Sequence, residues 1–187
     1  MHKKAMIEFT RFSQHTRGLL VLLLSQGYAD YFEYDPDCKE PWQRNWEEYD
    51  GDVFDHPDTI GACGFMTCLD GQVIGFASWD PRRFPDVGII GHNCILPAFR
   101  GHSYGKQQVL ETLRIFRKSG FRRARVTTGE HPFFEPARKM YRACGFREVR
   151  RSFGDPYSKF RTMDYELSLI EKKGRAATHR DQGYPCA

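Results

Sequence analysis

The stretch "FRGHSYGKQQVLETLRIF", residues 99–116, decides how this chain is read. Its first eight positions hold two glycines, Arg100 and Lys106, and a helical apolar pattern follows at once. Val109, Leu110, Leu113 and Phe116 share one face, which predicts a helix over residues 105–118 with Gly120 as its C-terminal cap. A helix start leaves backbone N–H groups without partners and carries a partial positive charge. Gly101 and Gly105 let the backbone approach a ligand closely, and Arg100 and Lys106 add full charges. A cation in the first turn opposes the helix dipole, so helix stability does not account for Lys106. The pattern points to an anion site, with a glycine-punctuated loop and solvated bases as the plainer alternative. Neither G-x-G-x-x-G nor G-x-x-x-x-G-K-[ST] is present in it.

Working outward, "GFMTCLDGQVIGFASWD" (residues 64–80) sets two β-prone runs on either side of Asp70-Gly71. That dipeptide suits a tight hairpin turn, so 62–69 and 72–79 are expected to pair antiparallel, with a bulge at Gly75. "DVGIIGHNCIL" (86–96) reads as a strand that stops at Pro97. Beyond the quoted helix, Ala124, Val126 and Thr128 alternate with Arg123, Arg125 and Thr127 as in a half-buried strand. A helix over 133–144 stops at Gly145, a strand resumes over 146–150, and "FRTMDYELSL" (160–169) alternates with period two. At the other end, a strand over 6–10 and a helix over 13–26, stopped by Gly27, precede a segment that Pro36 and Pro41 break into short helical pieces. The order predicts an α/β (α+β) fold: one domain with a central mixed, mostly antiparallel twisted sheet of six or seven strands flanked by helices.

The chain has 187 residues, 40% of them hydrophobic and 28% charged, which suits one folded domain and excludes fibrous or wholly disordered classes. That domain is assigned to residues 1–170; residues 171–187 lack periodicity and are expected to be a mobile tail. The longest apolar run, 19–24, is far short of a membrane span, and no basic-then-apolar leader opens the chain, so a cytoplasmic location is expected. Six cysteines without a C-x-x-C pair read as free thiols rather than disulfides or a metal site. Charge is unevenly divided: residues 30–58 hold eleven acids against Lys39 and Arg44, within a chain of 28 bases and 24 acids. The same segment carries Tyr31, Phe32, Tyr34, Trp42, Trp46, Tyr49 and Phe54, too many aromatics for a solvated spacer.

The strand ending in Ile95-Leu96-Pro97, then "FRGHSYGK" opening a helix, then a strand, then "ARKMYRACGF" (137–146), resembles the Gcn5-related N-acetyltransferase (GNAT) superfamily. That family's signature, [RQ]-x-x-G-x-[GA], is followed some way on by a helix ending in Tyr-x-x-x-Gly-Phe. The likeness is closest over 87–146 and extends to about 5–169. It implies that Arg100 belongs to the coenzyme site and that the backbone amides of Gly101, His102, Ser103, Tyr104, Gly105 and Lys106 cradle the pyrophosphate of acetyl-CoA, the co-substrate. It implies further that Ile95 and its strand neighbours bond the pantetheine arm like an added strand. Arg100 and Gly105 fit the ends of the signature; Ser103 stands where its middle glycine would be, offering a helix cap or a hydroxyl for phosphate. Phe134 stands where an asparagine is often found.

Acetyl transfer to an amine needs a neutral amine, a polarised thioester carbonyl and a proton for the leaving thiolate. The resemblance gives the last role to Tyr141. His92, on the strand leading to the coenzyme loop, is the candidate base, with His131 and the carboxylates of the 30–58 segment as rivals. Those carboxylates, with Trp42, Trp46 or Tyr49, also suit attraction of an ammonium group. The expected activity is therefore acetyl transfer by direct attack in a ternary complex, onto a small-molecule or peptide amine that is cationic. No membrane partner and no metal are expected, and a homodimer is left open. Three alternatives stand: transfer of a longer acyl group, an acetyl-CoA-binding protein without turnover, and a nucleic-acid-binding module built on Arg122, Arg123, Arg125, Arg147, Arg150, Arg151 and the "EKKGRAATHR" tail.

Overall fold

In the computed structural model, which describes residues 6–170, Asp70 and Gly71 both take positive φ, 49° and 85°. They close the expected hairpin between β2 (Gly64–Leu69) and β3 (Gln72–Arg83). The register slips between Thr67 and Cys68, whose partners are Gly75 and Val73, so Ile74 is the extra residue of a bulge beside Gly75. β1 (Ile7–Thr10) pairs with β2, and β4 (Val87–Ile95) pairs antiparallel with β3. β4 and β5 (Arg123–Gly129) are parallel, which requires a crossover, and α3 (Tyr104–Ser119) supplies it. β7 (Thr162–Ser168) inserts between β5 and the edge strand β6 (Arg147–Ser152). The result is a seven-stranded mixed sheet in the order β1-β2-β3-β4-β5-β7-β6, with a single parallel pair.

That parallel pairing is short. It runs from Val87 opposite Arg123 to Ile90 opposite Val126 and then stops. β4 continues on β3 as far as Gly75 opposite Ile95, while β5 continues on β7 as far as Gly129 opposite Thr162. The middle of the sheet therefore opens after Ile90.

Each face of the sheet has its own core. On one, α3 and α4 (Glu135–Ala143) bury Val109, Leu113, Phe116 and Tyr141 against Ile90, Ala124, Val126 and Tyr165. On the other, α1 (Leu19–Tyr28) and α2 (Lys39–Asp55) bury Leu20, Leu24, Trp46 and Val53 against Met66, Cys68, Phe76 and Cys94. Full burial of each large aliphatic or aromatic side chain contributes about 1.5–3 kcal/mol. Leu110, expected on the buried face of α3, is exposed. Gln108 and Thr112 complete that face instead, both 0% exposed.

The N-terminal half departs further from expectation. The helix predicted over 13–26 is a 3-10 turn at Phe12–Gln14 followed, after a break, by α1. Gly18 breaks it with a φ of +89°, and Asp50 of α2 then accepts the N–H groups of Gly18 (2.7 Å) and Leu20 (3.2 Å) to start α1. Gly27, expected as the stop, lies inside α1. A Cβ there would come within 2.8 Å of Cys94 Sγ, so this glycine serves close packing on β4. Pro36 opens a 3-10 turn as expected, but Pro41 sits in the first turn of the 17-residue α2, where its missing N–H costs no helical bond.

Among the described residues no helix is long and apolar enough to cross a membrane, and Cys38, Cys63, Cys68, Cys94 and Cys144 are free thiols. Cys186 and the segment expected as a tail, 171–187, lie outside the described residues.

Candidate functional site

The loop from β4 to α3 is shaped by two left-handed residues, Gly101 (φ +84°) and Ser103 (φ +64°). Glycine takes that conformation freely, whereas serine does so at a cost of about 1–2 kcal/mol. The outcome is a row of amides with nothing to bond. Among the described residues no protein acceptor takes the N–H groups of Gly101 through Lys106, and Gln107 is the first to donate back, to Ser103 O. The Ser103 side chain does not cap α3, contrary to one of the roles expected for it. Arg100 faces inward: its guanidinium donates to Ile95 O (3.0 Å) and Gly27 O (2.7 Å), bracing the loop against the ends of β4 and α1.

This loop forms one end of a cavity of about 560 Å³. Ile95, Arg100, Gly101, Ser103, Tyr104, Gly105 and Lys106 all line it. His102 does not: its Nδ1 meets Arg100 O at 3.0 Å and its ring stacks near Tyr104, 5.7 Å between centroids. The open edge of β4 forms another wall. His92 and Leu96 direct their N–H groups to β3, onto Ser78 Oγ (3.0 Å) and Ile74 O (2.8 Å). Strand alternation then turns those of Asn93 and Ile95 toward the gap that β5 leaves.

A second cavity, about 690 Å³, lies beyond the gap, and Tyr28, Asn93, Phe134 and Ala137 line both. Tyr141 belongs to this second cavity, with its hydroxyl 3.5 Å from Asn93 Nδ2. Burial pushes the Tyr141 phenol up to about 12, against a downward pull from the Asn93 amide, so it carries its proton throughout the neutral range. Cys94 lies next along β4, its thiol donating to Leu23 O (3.4 Å) in the α1–α2 core, and burial likewise pushes that thiol up to about 12. A thiol so held is not a nucleophile at neutral pH.

The segment 30–58 divides its labour in a way its composition hides. Tyr31 and Trp42 stack 5.4 Å apart at 12° and line the second cavity. Its acids do not line it. Asp50 starts α1, and Asp35, 1% exposed, accepts the hydroxyls of Tyr31 (3.2 Å) and Ser158 (2.7 Å). The carboxylates at the second cavity are those of Asp155 and Asp164, from the β6–β7 connection and β7. Trp46 is core, and Tyr49 packs against His92.

The structure separates His92 from Tyr141. Alternation along β4 sends Asn93 to the α3–α4 face and His92 to the α1–α2 face, where its ring lies 5.1 Å from Tyr49 and 5.8 Å from Phe76. His92 lines neither cavity, and burial depresses its imidazole to about 4. His131 lines neither cavity as well; it packs on Tyr34 and Phe160 and accepts the N–H of Phe133 at 3.2 Å.

Several residues here carry no obvious mark in the sequence: Tyr28, Asn93, Asp155 and the brace made by Arg100. Of the six arginines that suggested a nucleic-acid surface, three are engaged in ion pairs. Arg123 pairs with Asp86 and Glu166, Arg125 with Glu166, and Arg151 with Glu148 and Glu130.

A family model described as the acetyltransferase (GNAT) family matches residues 25–146. No curated protein matches the chain. Among solved structures, the PaiA N-acetyltransferase of Thermoplasma acidophilum in complex with coenzyme A has a TM-score of 0.69 at 15% identity, over 87% of this chain and 99% of that one. A Desulfovibrio desulfuricans protein assigned to the GNAT family gives 0.69 at 15% over 89% and 99%. A chain of the NatC complex bound to Gag peptide and CoA gives 0.59 at 15% over 90% and 100%. At such identities the likeness is one of fold.

Proposed function

The chain belongs to the GNAT acetyltransferase family, and on that premise we propose that it transfers the acetyl group of acetyl-CoA to a cationic primary amine. Acetyl-CoA supplies an acetyl group already activated as a thioester. The free amides of Gly101 to Lys106 and the Lys106 ammonium suit its pyrophosphate, which is the chemistry a helix start with unpaired N–H groups offers. The N–H groups of Asn93 and Ile95 suit the amide oxygens of the pantetheine arm and the thioester carbonyl, in the place where β5 would otherwise pair.

The aromatic walls Tyr31 and Trp42, with Asp155 and Asp164, suit an ammonium-bearing acceptor entering from the other side. In this reading a cationic amine meets Asp155 and Asp164, which share the cavity with Arg150 and Arg161, rather than the carboxylates of residues 30–58. Tyr141, protonated and beside the junction, gives its proton to the leaving sulfur. Cys94, the neighbouring thiol, is buried in the α1–α2 core and stays protonated, which favours direct attack over an acyl-enzyme. With His92 turned away, the pH dependence reports the acceptor amine's own ionisation.

The observation that carries this reading is the junction itself: two cavities sharing Tyr28, Asn93, Phe134 and Ala137, with Tyr141 next to Asn93. A thiol-release assay with acetyl-CoA and an amine panel tests it. Turnover with cationic amines and a loss of order 10²-fold in kcat for Tyr141→Phe are expected. Acetyl-CoA binding without thiol release from any amine, or turnover confined to neutral and acidic amines, overturns it.

A further inference from the structure

A buried chain of polar side chains runs from β2 to the junction. Thr67 Oγ1 donates to Gln108 Oε1 (2.6 Å); Gln108 Nε2 meets Asn93 Oδ1 (2.5 Å), Phe76 O (3.2 Å) and Cys94 O (3.4 Å); Asn93 Nδ2 meets Tyr141 Oη (3.5 Å). Thr67 and Gln108 are 0% exposed. An apolar side chain at position 108 would fill the space without burying an amide, so packing alone gives no reason for glutamine there.

The polarity of this chain is fixed at its far end. Phe76 O and Cys94 O are carbonyls and can only accept, so the end of the Gln108 amide that faces them is the nitrogen. The same nitrogen faces Asn93, so the Asn93 atom that meets it is the oxygen. Asn93 must then present its NH₂ group to Tyr141. Facing a donor, the phenol oxygen accepts, and its own hydrogen points away from Asn93. If the Asn93 amide were reversed, its oxygen would take that hydrogen and hold it.

We propose that Gln108 is a positioning residue for proton delivery: by dictating which end of the Asn93 amide faces Tyr141, it keeps the Tyr141 hydroxyl hydrogen free for the leaving sulfur. The O–H bond of Tyr141 breaks as the S–H bond of free coenzyme A forms, and the phenolate is held by the Asn93 N–H until solvent returns a proton. Asn93 donation also pulls the phenol's proton affinity down, in the direction that helps it act as an acid. The inference rests on Tyr141 being the acid.

A double-mutant cycle in the full chain tests it. Gln108→Met keeps the volume and removes the amide; kcat is expected to fall about tenfold with the KM for acetyl-CoA unchanged, and by less than about twofold when Tyr141 is already Phe. Asn93→Asp keeps Gln108 and the shape of the site but offers Tyr141 an acceptor; it should lose about as much as Tyr141→Phe and add nothing to it. This variant carries the test if thermal unfolding shows that Gln108→Met does not fold. A loss in Tyr141→Phe alongside equal losses for both variants with and without Tyr141 overturns the positioning role and leaves Tyr141 as the acid. Full kcat in Tyr141→Phe overturns both.

Discussion

Trp42 donates its indole N–H to Asp155 Oδ2 at 2.9 Å, joining two residues 113 positions apart in the chain. The bond ties α2 to the β6–β7 connection across the second cavity and fixes both an aromatic wall and a carboxylate. A hydrogen bond to a charged group contributes about 1.5–3 kcal/mol. Trp42→Phe should therefore raise the KM for the amine about tenfold or more while the KM for acetyl-CoA stays put. Steady-state kinetics with each substrate varied in turn provides the measurement.

Asp50 acts on α1 from another helix, accepting the N–H groups of Gly18 and Leu20 at its start. It satisfies donors that would otherwise be orphaned and places an acid at the positive end of the dipole. Asp50→Ala should cost about 1–2 kcal/mol, lowering Tm by roughly 3–6 °C. Thermal unfolding reads this directly, and kcat of the folded fraction should be unchanged.

Ser103 is held at φ +64° in the loop between β4 and α3, the proposed pyrophosphate cradle. Ser103→Gly accepts that geometry without strain and should keep the KM for acetyl-CoA within about twofold. Ser103→Val adds a β-branched side chain that this φ excludes more strongly than serine, and the loop must distort; a rise of about tenfold in that KM, with kcat retained at saturation, is expected.

His92 gives a pH signature of stability rather than of rate. Burial holds its imidazole at about 4 instead of the ordinary 6.5. Between those values the unfolded chain binds a proton that the folded chain excludes, so the contribution is complete above pH 6.5 and is lost as pH falls toward 4. The loss amounts to roughly 3 kcal/mol over that window. Denaturant unfolding across it should show a flatter slope for His92→Gln than for the unaltered protein, while the pH profile of kcat/KM keeps its shape.

Local chemistry made much of the fold legible. Asp70-Gly71 announced the hairpin, and the alternation of Met163 and Tyr165 with Asp164 announced β7, because turn geometry and a half-buried face leave direct traces. Gly27 misled for a physical reason: a glycine can end a helix or let a neighbour approach, and only the position of Cys94 tells which. The acids of residues 30–58 misled too, since composition does not say that Asp50 faces a helix start and Asp35 a tyrosine. At the site, the glycine-punctuated loop between β4 and α3, with its row of free amides, was readable as a local motif. His92 and Asn93 are adjacent in sequence but lie on opposite faces of β4, and choosing between them requires knowing which face the helices α3 and α4 cover. Gln108 did leave a trace: with Thr112 it puts two polar residues into the buried stripe of α3.

The parting of β4 from β5 after Ile90 leaves the centre of the sheet short of a strand, and in the proposed reading the coenzyme arm would complete it. Folding and loading are then coupled: each tenfold rise of acetyl-CoA above its dissociation constant adds about 1.4 kcal/mol to the stability of the native state. The lifetime of this protein against proteases would follow the supply of its own acyl donor.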